Sequence, residues 1–304
     1  MNMRPQVREL VINWHITEAC NYRCRYCYAK WAAKGKELIH NVSGSEALLC
    51  EIARFFSPHN LQNPLREYIN WTRLRLNIAG GEPLLYQDAV QRIISFARQL
   101  DMRTSLITNG SHLSTSLARS LGSNLSMLGI SLDSAKVLTN QAIGREDRRA
   151  GLLNLQSLPE VLAALRASNP EITLKLNTVV NALNCHEEMS TLIRSIAPTR
   201  WKVLRMLPVV TKDLAVSDAE FASFVARHAS FSDVMCAEDN VDMRESYLMI
   251  DPHGRFFQNG SGRNDYLYSH PIHEVGADRS FSEIGLSASK FCARYTTGAM
   301  ANAA

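Results

Sequence analysis

Three cysteines, Cys20, Cys24 and Cys27, fall within the eight residues Cys20-Asn21-Tyr22-Arg23-Cys24-Arg25-Tyr26-Cys27. At this spacing one loop can deliver three thiolates to a 4Fe–4S cube, leaving the fourth iron to bind a substrate or cofactor. A structural zinc site would call on a fourth Cys or His, and catalytic zinc on mixed ligands. Cys50, Cys185, Cys236 and Cys292 are scattered and read as small buried or incidental thiols. Seven cysteines, three of them clustered, make a poor disulfide framework and a better metal site. Tyr26, just before the third cysteine, suits packing beside such a cluster.

A second constellation is Ala79-Gly80-Gly81-Glu82-Pro83. Paired glycines after an apolar run allow close backbone approach to a ligand. The third is cationic. Arg75, Arg145, Lys175, Arg200 and Lys202 lie at or near strand-like runs, each of which would aim its C-terminal end at one mouth. Converging cations with amide donors are what a triphosphate requires. No Gly-x-x-x-x-Gly-Lys loop is present, so side chains would have to bind the phosphates.

These residues need elements to position them. Apolar runs at Leu10–Ile16, Arg73–Ala79, Thr104–Thr108, Met127–Leu132, Ile172–Val180 and Trp201–Met206 read as strands. Helical spacing at Ser45–Phe56, Gln87–Leu100, Ser114–Leu121, Pro159–Ser168, His186–Ile196 and Ser217–His228 follows them in turn. Six βα units predict an α/β fold, a partial (βα)6 TIM-like barrel whose ligands bind beyond the C-terminal strand ends. Residues 1–240 would form the barrel. Residues 241–304 would extend it within the same structural domain and cover the site. There Glu245–Ile250 and Arg255–Gln258 flank a turn sequence and predict a hairpin, and Asn259–Ala304 reads as irregular.

A net charge of +4 is too mild to argue for nucleic acid or an anionic membrane. No apolar run approaches the roughly 18 residues of a membrane span, and the start of the chain has no signal-peptide core. A cytoplasmic protein is expected.

The cysteine spacing with an aromatic before the last cysteine resembles the radical S-adenosylmethionine (SAM) superfamily signature. Gly80-Gly81-Glu82-Pro83 looks like its second motif. That resemblance implies a 4Fe–4S cluster on Cys20, Cys24 and Cys27, and SAM held by Gly80, Gly81 and Glu82. Longer stretches resemble one family, the viperins, which dehydrate nucleoside triphosphates in antiviral defence. They include Asn13-Trp14-His15-Ile16-Thr17, Thr108-Asn109-Gly110-Ser111, Ile130-Ser131-Leu132-Asp133-Ser134 and Ile143-Gly144-Arg145. Lys175-Leu176-Asn177-Thr178, Arg200-Trp201-Lys202 and Ser246-Tyr247-Leu248 complete the set.

By this resemblance Asn109 and Ser131 look like SAM contacts. Asn13, Arg75, Arg145, Lys175, Asn177, Arg200 and Lys202 look like nucleotide ligands, and Tyr247 like a proton donor. The implied product is a 3′-deoxy-3′,4′-didehydro nucleotide, from CTP or UTP ahead of purines. The implied partner is a reductant such as a flavodoxin or ferredoxin. Animal viperins carry an amphipathic membrane helix before this region, whereas the short stretch before Asn13 implies a soluble, prokaryote-like form. Segment 290–298 matches the family's nucleotide-covering tail only loosely, which leaves the base open. Two other readings stand beside this one. One is another radical SAM chemistry, of peptide or cofactor modification; peptide-modifying relatives commonly carry further C-terminal cysteine clusters, and only Cys236 and Cys292 lie beyond residue 200 here. A non-enzymatic iron–sulfur or zinc regulator would have no use for the glycine motif.

Overall fold

Strict alternation along Thr173–Val180, buried at every second residue, gives a strand with one apolar face and one half-buried polar face. The computed structural model describes residues 4–27, 29, 35–147, 153–208, 211–240, 245–259 and 266–296. All six expected strands form: β1 (Gln6–His15), β2 (Asn70–Ala79), β3 (Arg103–Thr108), β4 (Met127–Ser131), β5 (Thr173–Val180) and β6 (Arg200–Arg205). A helix follows each: α1 (Val42–Phe55), α2 (Gln87–Gln99), α3 (Thr115–Gly122), then α4 (Val137–Ile143) with α5 (Leu158–Ser168), α6 (Ser190–Ile196) and α7 (Asp218–Arg227). Caps set several starts. Asn41 accepts from the Gly44 amide ahead of α1, and Ser217 with Glu220 forms a reciprocal capping box on α7. The extra helix α4 has no counterpart in the sequence reading.

The chain divides into two compact units, one of Met1–Glu18, Trp31–Ser105 and Val241–Ala304, the other of Ala19–Lys30 and Leu106–Asn240. In the second unit β4, β5, β6 and a further strand, β7 (Met235–Glu238), run parallel in that order. Trp201 is fully buried among Phe224, His228 and Phe231 and donates to Thr178 Oγ1 at 2.9 Å. That apolar face leaves the alternate residues of β5 and β6 for the opposite side.

In the first unit β1 and β2 are parallel. The expected hairpin is present as β8 (Leu248–Ile250) and β9 (Arg255–Asn259), antiparallel about the turn at Asp251, and β8 lies parallel to β1. Its first arm is shorter than the sequence suggested, since Glu245, Ser246 and Tyr247 precede the strand. The tail is more ordered than expected. It adds β10 (Tyr266–Pro271), antiparallel to β9, then α8 (Ile272–Val275), α9 (Ala277–Ser282) and α10 (Ala288–Thr296). The strand order of this unit is therefore β10-β9-β8-β1-β2. Phe55, Phe56, Phe256 and Phe281 meet largely edge to face and tie the tail to the end of α1. Among the described residues no helix is long and apolar enough to cross a membrane.

His15, at the end of β1, is 6% exposed and stacks edge-on to Phe257. Burial holds its imidazole down at about 4, against about 6.5 in an unfolded chain. The neutral ring therefore favours the fold above about pH 6.5, and this advantage, up to about 3 kcal/mol, is lost as pH falls toward 4. Urea unfolding at pH 7.5 and pH 5 should show a smaller loss on acidification in His15→Gln than in the native chain. Equal losses would contradict the assignment.

Candidate active site

The cysteine loop is tied down by backbone bonds before any metal is considered. Arg23 N–H donates to the Gly144 carbonyl at 2.9 Å and Arg25 N–H to that of Ile143 at 3.0 Å. Gly144 has φ +90°, and a Cβ there would collide with the Arg23 carbonyl oxygen. Glycine in Ile143-Gly144-Arg145 thus lets the loop dock. Tyr22 N–H lies 3.4 Å from Cys20 Sγ, and Asn109 Nδ2 lies 4.0 Å from the same sulfur. Asn21 organises the turn, accepting from Asn109 Nδ2 and donating to Ser111 Oγ and Asp147 Oδ2, each at 2.8 Å.

None of the three cysteines is in a disulfide. Among the described residues Cys185, His186 and Glu220 bring their ligand atoms within 4.8 Å of one another, and the three motif cysteines do not. Amide donors at Cys20 Sγ and the Arg145 guanidinium beside Cys24 Sγ suit thiolates that ligate an iron–sulfur cluster. In the Cys185 trio the Glu220 carboxylate is already engaged by Ser217.

Behind the loop lies a buried charge pair. Asp133 is fully buried; its Oδ1 accepts the Val179 amide at 2.9 Å, and its Oδ2 receives Tyr26 Oη–H. Arg145 Nη1 sits 3.4 Å from Asp133 Oδ2, 3.3 Å from Tyr26 Oη and 3.9 Å from Cys24 Sγ, while Nη2 donates to the Ser131 carbonyl at 2.6 Å. Burial, then Asp133, pushes the Tyr26 hydroxyl well above its ordinary range, so it stays a donor. Burial works against the Arg145 charge, but Asp133 beside it holds the guanidinium protonated. Burial pushes the Cys24 thiol up to about 12, against the pull of Arg145. Tyr22, Asn109, Ser131, Asn140 and Arg145 line one cleft in this unit. Asn109 and Ser131, two of the five residues expected to hold SAM, thus share a cleft with Arg145.

The other cations of this unit follow from register. In a parallel pair, residues opposite one another point to the same side. One row runs Ser131, Asn177, Lys202, Cys236 across β4 to β7, and Lys175 with Arg200 forms the row beneath it. Arg200 opens β6, so it stands at the N-terminal end of its strand. Lys202 is 7% exposed and pairs with Glu238 Oε1 at 2.7 Å.

The first unit carries the remaining residues. Gly80, at the end of β2, has φ +148°, and a Cβ there would come 2.6 Å from the Thr17 carbonyl, which also accepts the Gly81 amide at 2.7 Å. Glu82 is fully buried and its Oε1 accepts the Leu84 amide at 2.9 Å, capping the 3-10 turn Pro83–Tyr86. Glu37 braces the same corner, binding Thr17 Oγ1 and the Glu18 amide at 2.6 Å each. On the polar face of β1 and β2, Asn77 donates to Asn13 Oδ1 at 2.9 Å and Ser105 to Asn77 Oδ1 at 2.7 Å. Arg75 donates to Ser105 Oγ at 3.1 Å and pairs with Glu9 Oε2 at 2.9 Å. Tyr247 is half-buried in the bend before β8, with its carbonyl held by the Gln258 amide at 2.7 Å.

Sequence reasoning missed Glu9, Glu37, Asp133, Glu238 and Gln258. Each is a partner brought in by register or by a turn, with no local spacing to mark it. Asp133 alone lay inside a noted motif.

Residues 14–175 match the radical SAM superfamily. The chain is 40% identical to an S-adenosylmethionine-dependent nucleotide dehydratase of Psychrobacter lutiphocae over 95% of each chain. It is 42% identical to one of Pseudoalteromonas ulvae, over 95% of this chain and 94% of that protein. Among solved structures, "Native anSMEcpe with bound AdoMet" superposes with a TM-score of 0.64 at 12% identity, over 92% of this chain and 81% of that one. Streptococcus suis SuiB bound to S-adenosylmethionine gives 0.55 at 14% identity, over 82% and 60%.

Proposed function

Because this chain belongs to the radical SAM superfamily and, within it, to the S-adenosylmethionine-dependent nucleotide dehydratases, we propose that it converts CTP or UTP to the 3′-deoxy-3′,4′-didehydro analogue, a terminator of viral RNA synthesis. Two-fifths identity over nearly the whole length to proteins of that name carries the reading. The family's cofactors are a 4Fe–4S cluster and SAM. Cys20, Cys24 and Cys27 would hold the cluster, and three cysteines outside any disulfide on one braced loop fit it. When bound, the reduced cluster supplies the electron that cleaves SAM to a 5′-deoxyadenosyl radical, which takes a hydrogen atom from the substrate.

The chain's own residues do the positioning. Gly80 and Gly81 leave room for SAM, whose amino group Glu82 would bind; Asn109 and Ser131 would contact the rest of it. Lys175, Asn177, Arg200 and Lys202 occupy neighbouring register positions on one face, which supports a polyanion site. Asn13, Arg75 and Arg145 complete the proposed ligand set. Loss of the C4′ hydrogen and then of the C3′ hydroxyl requires a proton on the departing oxygen, assigned to Tyr247. One further electron, with the one for SAM cleavage, would come from a flavodoxin or ferredoxin of the cytoplasm.

Lys175→Ala and Lys202→Ala should each weaken triphosphate binding roughly ten- to a hundredfold while SAM affinity stays near native, since a charge-assisted contact is worth about 1.5–3 kcal/mol. Equal affinity of the native protein for nucleoside and nucleoside triphosphate would contradict the phosphate site. The function itself is tested by incubating the reduced protein with SAM and each of the four ribonucleoside triphosphates, with mass spectrometry of the products. A dehydrated CTP or UTP is expected; dehydration of none of the four overturns the proposal.

A further inference from the structure

Asp133 is buried, charged and has no part in the proposed chemistry. Its carboxylate is fixed from three sides, by the Val179 amide, Tyr26 Oη–H and Arg145. Its own carbonyl accepts Asn184 Nδ2 at 2.8 Å, so the main chain there is held as well. The grip matters because of what lies on its far side. Arg145 Nη1 is 3.9 Å from Cys24 Sγ, and the guanidinium lies over the Tyr22 ring at 5.6 Å. The segment carrying Arg145 is also the one on which the cysteine loop docks, through Ile143 and Gly144. A buried cation and a buried anion are therefore locked together beside a half-buried ligand sulfur, where their fields are weakly screened.

We propose that the buried Asp133–Arg145 charge pair beside Cys24 sets the reduction potential of the iron–sulfur cluster. The inference rests on the reading that Cys20, Cys24 and Cys27 hold that cluster. A cluster gains negative charge on reduction, so a nearby cation and donors to its sulfurs favour the reduced form, whereas a nearby carboxylate disfavours it. The two members of the pair act with opposite sign. Asp133 limits the effect of Arg145, which the Ser131 carbonyl also holds in place.

The test is an EPR-monitored redox titration of the reconstituted protein, without SAM or nucleotide, alongside iron analysis. Asp133→Asn keeps an acceptor for Val179 but removes the negative charge. It should raise the potential by at least tenfold in the reduction equilibrium, about 59 mV for one electron. Arg145→Gln should lower it by a similar amount. Both proteins should retain native iron content. Opposite shifts of this kind cannot come from simple loosening of the loop. Unchanged potentials, or shifts of the same sign, overturn the proposal. Loss of the cluster from both variants overturns it too, in favour of a purely structural role. Should only Asp133→Asn fail to fold, Arg145→Gln decides alone, with a lowered potential supporting the proposal and an unchanged one overturning it. A native chain that takes up no iron and gives no EPR signal overturns the cluster reading itself, an outcome distinct from the others.

Discussion

Cys24→Ala is expected to abolish SAM cleavage altogether. Native protein reconstituted under reducing, oxygen-free conditions should carry about four irons, one thiolate serving each of three and SAM the fourth. Cys24 is held against the Arg145 and Asp133 pair, and burial already disfavours its free ionised form. Iron must therefore displace a tightly held proton, and the alanine variant leaves that corner with no donor. Iron content should fall below the native value, and no 5′-deoxyadenosine should form. Cys50 is exposed on α1, so Cys50→Ala should match the native protein in both measurements. Full SAM cleavage by Cys24→Ala would overturn the ligand assignment.

Tyr247→Phe should have the next largest effect, and on a different step. Hydroxide leaves poorly at neutral pH, so departure of the 3′ oxygen needs an acid within hydrogen-bond reach. A phenol can serve, and the backbone of Tyr247 is anchored by Gln258, a residue only 1% exposed. If its hydroxyl is the donor, Tyr247→Phe binds SAM and nucleotide, still forms 5′-deoxyadenosine, and makes little didehydro product. If the ring merely packs, losing one hydroxyl leaves turnover close to native. The ratio of didehydro-nucleotide to 5′-deoxyadenosine separates these. A native ratio at a native rate would exclude Tyr247 as the required acid.

The six βα units were legible because their strands read as alternating or continuous apolar runs, such as the alternating Leu74, Leu76 and Ile78 on β2. β7 was not, since Met235-Cys236-Ala237-Glu238 is short and has no apolar alternation. Nor was β10, whose Tyr266–Pro271 carries a proline that a strand at the end of the sheet order tolerates. The site divides along the same line. Cys20, Cys24, Cys27 and Gly80-Gly81-Glu82 are local motifs, visible as spacing. The sequence also picked out Arg75, Arg145 and Lys202, but not Glu9, Asp133 and Glu238, which pair with them. Such pairings depend on which strand lies beside which and in what register, and a one-residue slip would turn every side chain to the other face. Tyr247 lies just outside the strand expected to hold it, because pairing with β1 begins only at Leu248.

The most direct measurement uses CTP carrying deuterium at C4′. The reduced protein, given SAM and this substrate, should place the deuterium in 5′-deoxyadenosine and release a nucleotide lighter by one water and lacking the label. UTP labelled the same way is tested in parallel. Label retained in the nucleotide, or 5′-deoxyadenosine formed equally fast with no nucleotide present, would contradict hydrogen abstraction from the ribose and the dehydration that depends on it.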